Sequence, residues 1–114
     1  MNRDLILVTG GAGFIGSAYA RLVAHKTKIL VLDLMTYAGD SRRLSQLSTE
    51  QFTLIKGNIC NESLVSQLLM EYKPRALIHF AAESHVDRSI DSPQSFLKTN
   101  VEGTMTLLRC ATKY

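Results

Sequence analysis

Four ionisable side chains crowd into six residues of the stretch AAESHVDRS: Glu83, His85, Asp87 and Arg88, with Ser84 between the first two. Side chains of these types orient one another through hydrogen bonds and ion pairs. A serine hydroxyl donates to a ligand oxygen, and a histidine shuttles protons near neutral pH. A charged surface turn has the same composition, so the cluster by itself leaves both readings open. Its position favours a site. It follows directly on the apolar run ALIHF (Ala76–Phe80), and the carboxyl ends of parallel strands are where ligands bind in open α/β sheets. Ala81 and Ala82 are small enough to let a flat ring pass close to the backbone. His79, inside the run, reads as a satisfied core histidine.

A second pattern is Gly10-x-x-Gly13-x-x-Gly16, in VTGGAGFIG. It lies between an apolar run and a helical pattern, the context that turns a glycine motif into a phosphate cradle. Gly10 suits a turn of positive φ. Gly13 has no side chain to keep a phosphate off the backbone, and Gly16 lets the helix lie close to the strand. The free N–H groups and the dipole of the first helical turn then face a diphosphate. Asp33 stands twenty residues after Gly13, at the end of the next apolar run. A carboxylate there accepts both hydroxyls of an adenosine ribose and repels a 2′-phosphate. The expected cofactor is therefore NAD, not NADP. Arg42 and Arg43 lie beyond that loop.

These residues need elements to hold them. Leu5–Thr9, Lys28–Leu32, Phe52–Lys56 and Ala76–Phe80 read as buried strands. Between them, Phe14, Ala18 and Leu22, joined by Ile15 and Val23, recur at helical spacing. Asn61 caps a helix carrying Leu64, Val65, Leu68 and Leu69, and RRLSQL reads as a short helix. Ser92-Pro93 opens a long helix with Phe96, Leu97, Val101, Met105 and Leu108 as core or subunit-interface positions. Continuously apolar strands alternating with helices predict an α/β, Rossmann-like doubly wound parallel sheet. With right-handed crossovers this is the first half of the fold, strand order 3-2-1-4, with helices on both faces.

The chain has 114 residues, 46% hydrophobic and 20% charged, with a formal charge of +3. That balance is globular, and the basic residues are scattered without interleaved aromatics, which argues against nucleic-acid binding. The apolar runs are too short to cross a bilayer. Cys60 and Cys110 have neither metal-ligand nor CxxC spacing and read as reduced thiols. No metal-ligand constellation stands out, and no secretory leader is evident. A cytoplasmic location and no membrane partner are expected.

The glycine spacing resembles that of the extended short-chain dehydrogenase/reductases. TGGAGFIGS, LMTYAGD, AAESHVDRSI and TNVEGT are similar, in order and spacing, to the amino-terminal part of the dTDP-glucose 4,6-dehydratase family within that group. AAESHVDRS is the most specific of them. The resemblance implies roles at matching positions. Phe14 and Ile15 would meet NAD through their backbone. Asp33, Leu34, Met35 and Thr36 would surround the adenosine ribose, and Asn58 and Ile59 would flank the adenine. Phe80, Ala81, Ala82, Glu83 and Ser84 would line the nicotinamide ribose and diphosphate, Ser84 also reaching the sugar. Thr99 would touch the cofactor, and Asn100 would tie the long helix to the site. The family has Asp where this chain has Asn58, so weaker adenine selection is expected. His85 is structural in this pattern.

The implied activity removes hydride from the sugar C4, eliminates water across C5 and C6, and returns the hydride to C6. Its substrate is a nucleotide sugar, dTDP-glucose. The family uses a Tyr-x-x-x-Lys pair, the lysine lowering the tyrosine pKa, and an Asp-Glu pair. Neither occurs here: Tyr19, Tyr37 and Tyr72 are followed four residues on by Val23, Ser41 and Ala76, and no Asp precedes a Glu. Residues 1–114 therefore read as an incomplete NAD-binding domain without its substrate domain, inactive alone and with no catalytic residue of its own. An uncovered strand edge and helix face suggest a homo-oligomer. Two alternatives stay open: another NAD-dependent sugar-nucleotide epimerase or dehydratase, and a nucleotide-binding remnant without catalysis.

Overall fold

The computed structural model describes residues 2–24, 26–34, 51–81, 94 and 98–113. Four strands, β1 (Asn2–Thr9), β2 (Lys28–Asp33), β3 (Phe52–Lys56) and β4 (Pro74–His79), form one parallel sheet in the order β3-β2-β1-β4. This is the strand order expected from the pattern. The registers Leu7↔Leu30 and Leu7↔Leu77 place β1 at the centre. Strand β4 starts two residues before the expected Ala76, at Pro74, and ends at His79. Proline lacks an N–H to donate to a ladder, so it is tolerated where a strand begins.

Helices cover both faces, and the strands alternate between them. Leu5, Leu7, Leu30 and Leu32 point to one side, where they meet Ile59, Val65, Leu68, Leu69, Leu107 and Cys110. That side is covered by α2 (Glu62–Tyr72) and α3 (Thr104–Lys113). Ile6, Val8, Ile29 and Val31 point to the other side, against Ala12, Ala20 and Ala24. Its helix is α1 (Phe14–Val23). As expected, α2 starts at Asn61, whose side chain accepts from Leu64 N at 3.1 Å. It ends at Lys73, a left-handed cap with φ 47°.

Two helical faces differ from expectation. In α1 the docked residues are Gly16, Ser17, Ala20 and Ala24, while Ile15 and Leu22 are each 68% exposed and Ala18 is exposed too. At Gly16 the helix lies against the backbone of the Gly10–Gly11 turn, where a side chain would collide. Of the larger side chains of α1, Tyr19 and the expected Val23 are partly buried against the sheet, while Ile15 and Leu22 face outward. In the last helix Val101, Met105 and Leu108 are exposed, so of the two expected places, core or subunit interface, the core is ruled out. Here Gly103, Thr106, Leu107 and Cys110 dock instead. Gly103 sits against Ile59, where an added Cβ would strike the Ile59 side chain, so this face too is chosen by the close approach. The segment before α3, Lys98–Gly103, is a π-helix rather than a continuous α-helix. Such wide turns gather at functional sites. RRLSQL and the Ser92-Pro93 cap lie outside the described residues.

No helix among the described residues is long and apolar enough to cross a membrane. Cys60 and Cys110 are free thiols.

Candidate cofactor cleft at the carboxyl end of the sheet

The glycine motif forms the turn between β1 and α1. Gly10 has φ +69°, the left-handed region that favours glycine. Its amide donates to Leu32 O at 2.9 Å, and its carbonyl accepts from Gly13 N at 3.0 Å. A Cβ on Gly10 would lie 2.6 Å from Ala81 N, so the turn and the end of β4 touch backbone to backbone. A Cβ on Gly16 would collide with the Gly10 carbonyl oxygen. Gly13 is different. It is the N-cap of α1 at φ −75° and ψ 177°, an extended conformation open to any residue, and it supplies no side-chain cap. What glycine contributes at 13 is bareness. The first-turn N–H groups of an α-helix have no intrahelical acceptor, and no cap side chain covers them here.

Asp33 is buried at the end of β2, 7% exposed. Its Oδ2 accepts from Ala12 N at 2.9 Å. The carboxylate therefore braces the glycine turn, a role the sequence reading did not assign it. Neighbouring Leu34 is 44% exposed.

Asn58 and Ile59 follow β3. The Asn58 Oδ1 accepts from Cys60 N at 2.9 Å, closing a local turn. That bond occupies one lone pair of the amide oxygen and leaves capacity for a second donor. Ile59 is 4% exposed, and its side chain belongs to the leucine-lined core. It can meet a ligand only through its backbone. Cys60 donates to Lys98 O at 3.4 Å, and its thiol pKa is raised by burial, with Lys98 opposing and Glu102 adding to the rise.

Past β4, Phe80 N donates to Thr9 O at 2.9 Å. The Phe80 ring packs against Tyr19 with centroids 5.4 Å apart. Ala81 N donates to Thr9 Oγ1 at 3.3 Å. His79 lies beneath, one ring nitrogen 2.6 Å from Thr9 Oγ1 and the other 3.0 Å from Thr104 Oγ1. Burial lowers its pKa. Its ring is satisfied, as expected from its place in the strand, although the residue is half-buried and not in the core. The Thr9 and Thr104 partnership was missed, because only the fold brings residues 9, 79 and 104 together. A hydroxyl amid the apolar run LILVT was the available signal.

The structure thus brings Gly10, Gly13, Gly16, Asp33, Phe80 and Ala81 to one end of the sheet. Phe14 and Ile15 open α1 beside them, and Thr99 lies in the π-helical segment. Met35, Thr36, Ala82, Glu83 and Ser84, with His85, Asp87 and Arg88, lie outside the described residues. No cluster of metal-binding side chains occurs among the described residues.

Comparison with known proteins places this arrangement in a family. The chain is 44% identical over 112 residues to a dTDP-glucose 4,6-dehydratase of Salmonella typhimurium, covering 96% of this chain and 31% of the relative. It is 46% identical over 110 residues to that of Xanthomonas campestris, covering 95% and 31%. The chain thus spans about a third of the length of the curated relatives it matches. Among solved structures, dTDP-glucose 4,6-dehydratase DesIV of Streptomyces venezuelae, crystallised with NAD, superposes with a TM-score of 0.89 at 41% identity, covering 96% of this chain and 36% of that one. A UDP-glucose 4-epimerase of Thermotoga maritima superposes with a TM-score of 0.85 at 30% identity, over 96% and 34%. The model of the GDP-mannose 4,6 dehydratase family matches residues 7–114, and the chain belongs to that family.

Proposed function

We propose that residues 1–114 form the NAD-binding part of a sugar-nucleotide 4,6-dehydratase acting on dTDP-glucose. The observation that carries the reading is the bare, glycine-capped N-terminus of α1, set beside the buried carboxylate of Asp33 at one end of the sheet. The donor set suits a dinucleotide: uncapped N–H groups and a helix dipole for the diphosphate, and a carboxylate for ribose hydroxyls. Gly13, Phe14, Ile15 and Gly16 would hold the diphosphate, Asp33 the adenosine ribose, and Phe80–Ala81 the nicotinamide half. When bound, NAD supplies a hydride acceptor that is regenerated at the end of the reaction. The chain's part is to bind and orient the cofactor and to exclude a 2′-phosphate.

The higher identity to dehydratases than to the epimerase favours dehydration over epimerisation. Turnover would need a Tyr-x-x-x-Lys pair and an Asp-Glu pair, which these 114 residues do not contain. We therefore assign them cofactor binding alone, as one domain of a larger catalytic unit acting in solution as a homo-oligomer.

The test is calorimetric titration of the chain with NAD⁺ and NADP⁺. Saturable NAD⁺ binding with much weaker NADP⁺ binding is expected. Asp33→Asn is the informative variant, because its amide oxygen can still brace Ala12 while the charge is gone. It should weaken NAD⁺ binding and narrow the preference over NADP⁺. Unchanged affinity for both would remove Asp33 from the ribose site. Formation of a 4-keto-6-deoxy sugar by the chain alone would overturn the assignment of binding without turnover.

A further inference from the structure

Four hydrogen bonds run in series from the end of β4 to the π-helical segment, and their order is decided by the two groups at the ends. Thr104 Oγ1 lies 2.9 Å from Asn100 O. A carbonyl oxygen only accepts, so the Thr104 proton is spent there. His79 Nε2, 3.0 Å from the same hydroxyl, must then donate to it. At the other end Ala81 N–H donates to Thr9 Oγ1 at 3.3 Å. If His79 is neutral with its proton on Nε2, Nδ1 is an acceptor, and Thr9 donates to it across 2.6 Å. The chain reads Ala81 N–H to Thr9 O–H to Nδ1, then Nε2–H to Thr104 O–H to Asn100 O. Each hydroxyl donates once and accepts once, whereas the other neutral tautomer would leave Nε2 facing a hydroxyl whose proton is already given to Asn100 O. An imidazolium would instead make Thr9 Oγ1 accept from both Nδ1–H and Ala81 N–H and leave its own proton without the ring as partner. The partial burial of His79 disfavours that charged ring and leaves the neutral Nε2–H form.

We propose that His79, locked as the neutral Nε2–H tautomer, is a positioning residue of the cofactor cleft, coupling the backbone at Ala81 to the carbonyl of Asn100 through Thr9 and Thr104. The geometry gives the coupling a purpose. Ala81 N lies where any Cβ on Gly10 would collide, so the chain sets the spacing between glycine turn and strand end. Asn100 belongs to the π-helical segment Lys98–Gly103, so the same chain sets where that segment stands. Both walls of the cleft are thereby referred to one ring. The effect on cofactor affinity rests on the NAD-binding reading given above, whereas the order of the hydrogen bonds does not.

The experiment separates the two. Long-range ¹H–¹⁵N correlation spectra of the ¹⁵N-histidine-labelled chain at neutral pH, with His79→Gln to assign the signal, report which ring nitrogen carries the proton. A protonated Nε2 beside an unprotonated Nδ1 is expected. A proton on Nδ1, alone or in addition, overturns the proposal. Thr9→Val, nearly isosteric, should shift the Nδ1 resonance and weaken NAD⁺ binding by about 3- to 10-fold, the range expected for one lost hydrogen bond. Thr9→Ser should restore both. Thr104→Val should let the ring exchange between tautomers. A Thr9→Val chain that folds with unchanged Nδ1 shift and unchanged affinity also overturns it. If the parent chain binds no NAD⁺ at all, the cofactor reading falls, and the tautomer spectrum alone then decides the hydrogen-bond order.

Discussion

The helices α1 and α2 begin in opposite ways. At α2 the Asn61 side chain accepts from Leu64 N, and Glu62 adds a negative charge to the first turn. That terminus satisfies itself from local sequence. At α1 the cap is Gly13, without a side chain, and the first turn has no acidic residue. A helix start costs about 0.5–2 kcal/mol when its cap is removed, so an uncapped start is retained where something outside the helix completes it. The faces behind the two helices differ likewise. Leucines pack on α2 and α3, whereas the fully buried residues of α1 are alanine, serine and glycine, with Tyr19 and Val23 partly buried beside them. One side of the sheet supplies cohesion and the other supplies proximity.

The largest expected effect breaks the close side. Gly16→Ala drives a methyl into the Gly10 carbonyl, a backbone atom that cannot rotate away. It should destabilise the chain by about 3 kcal/mol and abolish NAD⁺ binding. By contrast, Gly103→Ala on the leucine side meets side-chain atoms, Ile59 Cδ1 and Cγ1 and more distantly Cys60 Sγ, and no backbone, and denaturant unfolding should show about 1 kcal/mol. Equal costs would erase the distinction between the two faces.

Giving α1 the cap it lacks comes next. Gly13→Asp is allowed by the extended backbone at that position. Its carboxylate should stabilise the helix by a few tenths of a kcal/mol while lowering NAD⁺ affinity at least about tenfold by occupying the first-turn N–H groups and repelling the diphosphate. Asn61→Ala is the mirror experiment. It should lower the stability by about 1 kcal/mol, a fall of about 5 °C in Tm, and leave NAD⁺ affinity unchanged. If Gly13→Asp binds NAD⁺ as the parent does, the open terminus is not the diphosphate site.

The smallest effect concerns pH. His79 has its pKa below the ordinary histidine value of 6.5 because burial disfavours the imidazolium. The unfolded chain takes up a proton near the ordinary value, so it binds more protons than the native state below it. The stability from His79 is therefore complete above pH 6.5 and is lost as pH falls through the lowered native value. Urea midpoints at about pH 7.5 and about pH 5.5 should show this slope, and His79→Gln should remove part of it.

Much of this molecule was determined by its sequence alone. Alternating aliphatic strands, the glycine spacing, the acid at the end of the second run and the Asn61 cap are local features. They act through backbone sterics and single side chains, which operate whatever surrounds them. The strand order followed, because right-handed crossovers leave few alternatives. The outward face of α1, the docked face of α3 and the π-helical segment were decided by tertiary structure. At Gly16 and Gly103 the missing side chain permits a close approach that selects the docked face, and helical spacing cannot rank such a face above a more apolar exposed one. Asp33 bracing Ala12, and His79 joined to Thr9 and Thr104, likewise had to wait for the fold. The partners in each stand 21 or more residues apart, and hydrogen bonds of about 3 Å between such residues exist only once the sheet has closed that distance.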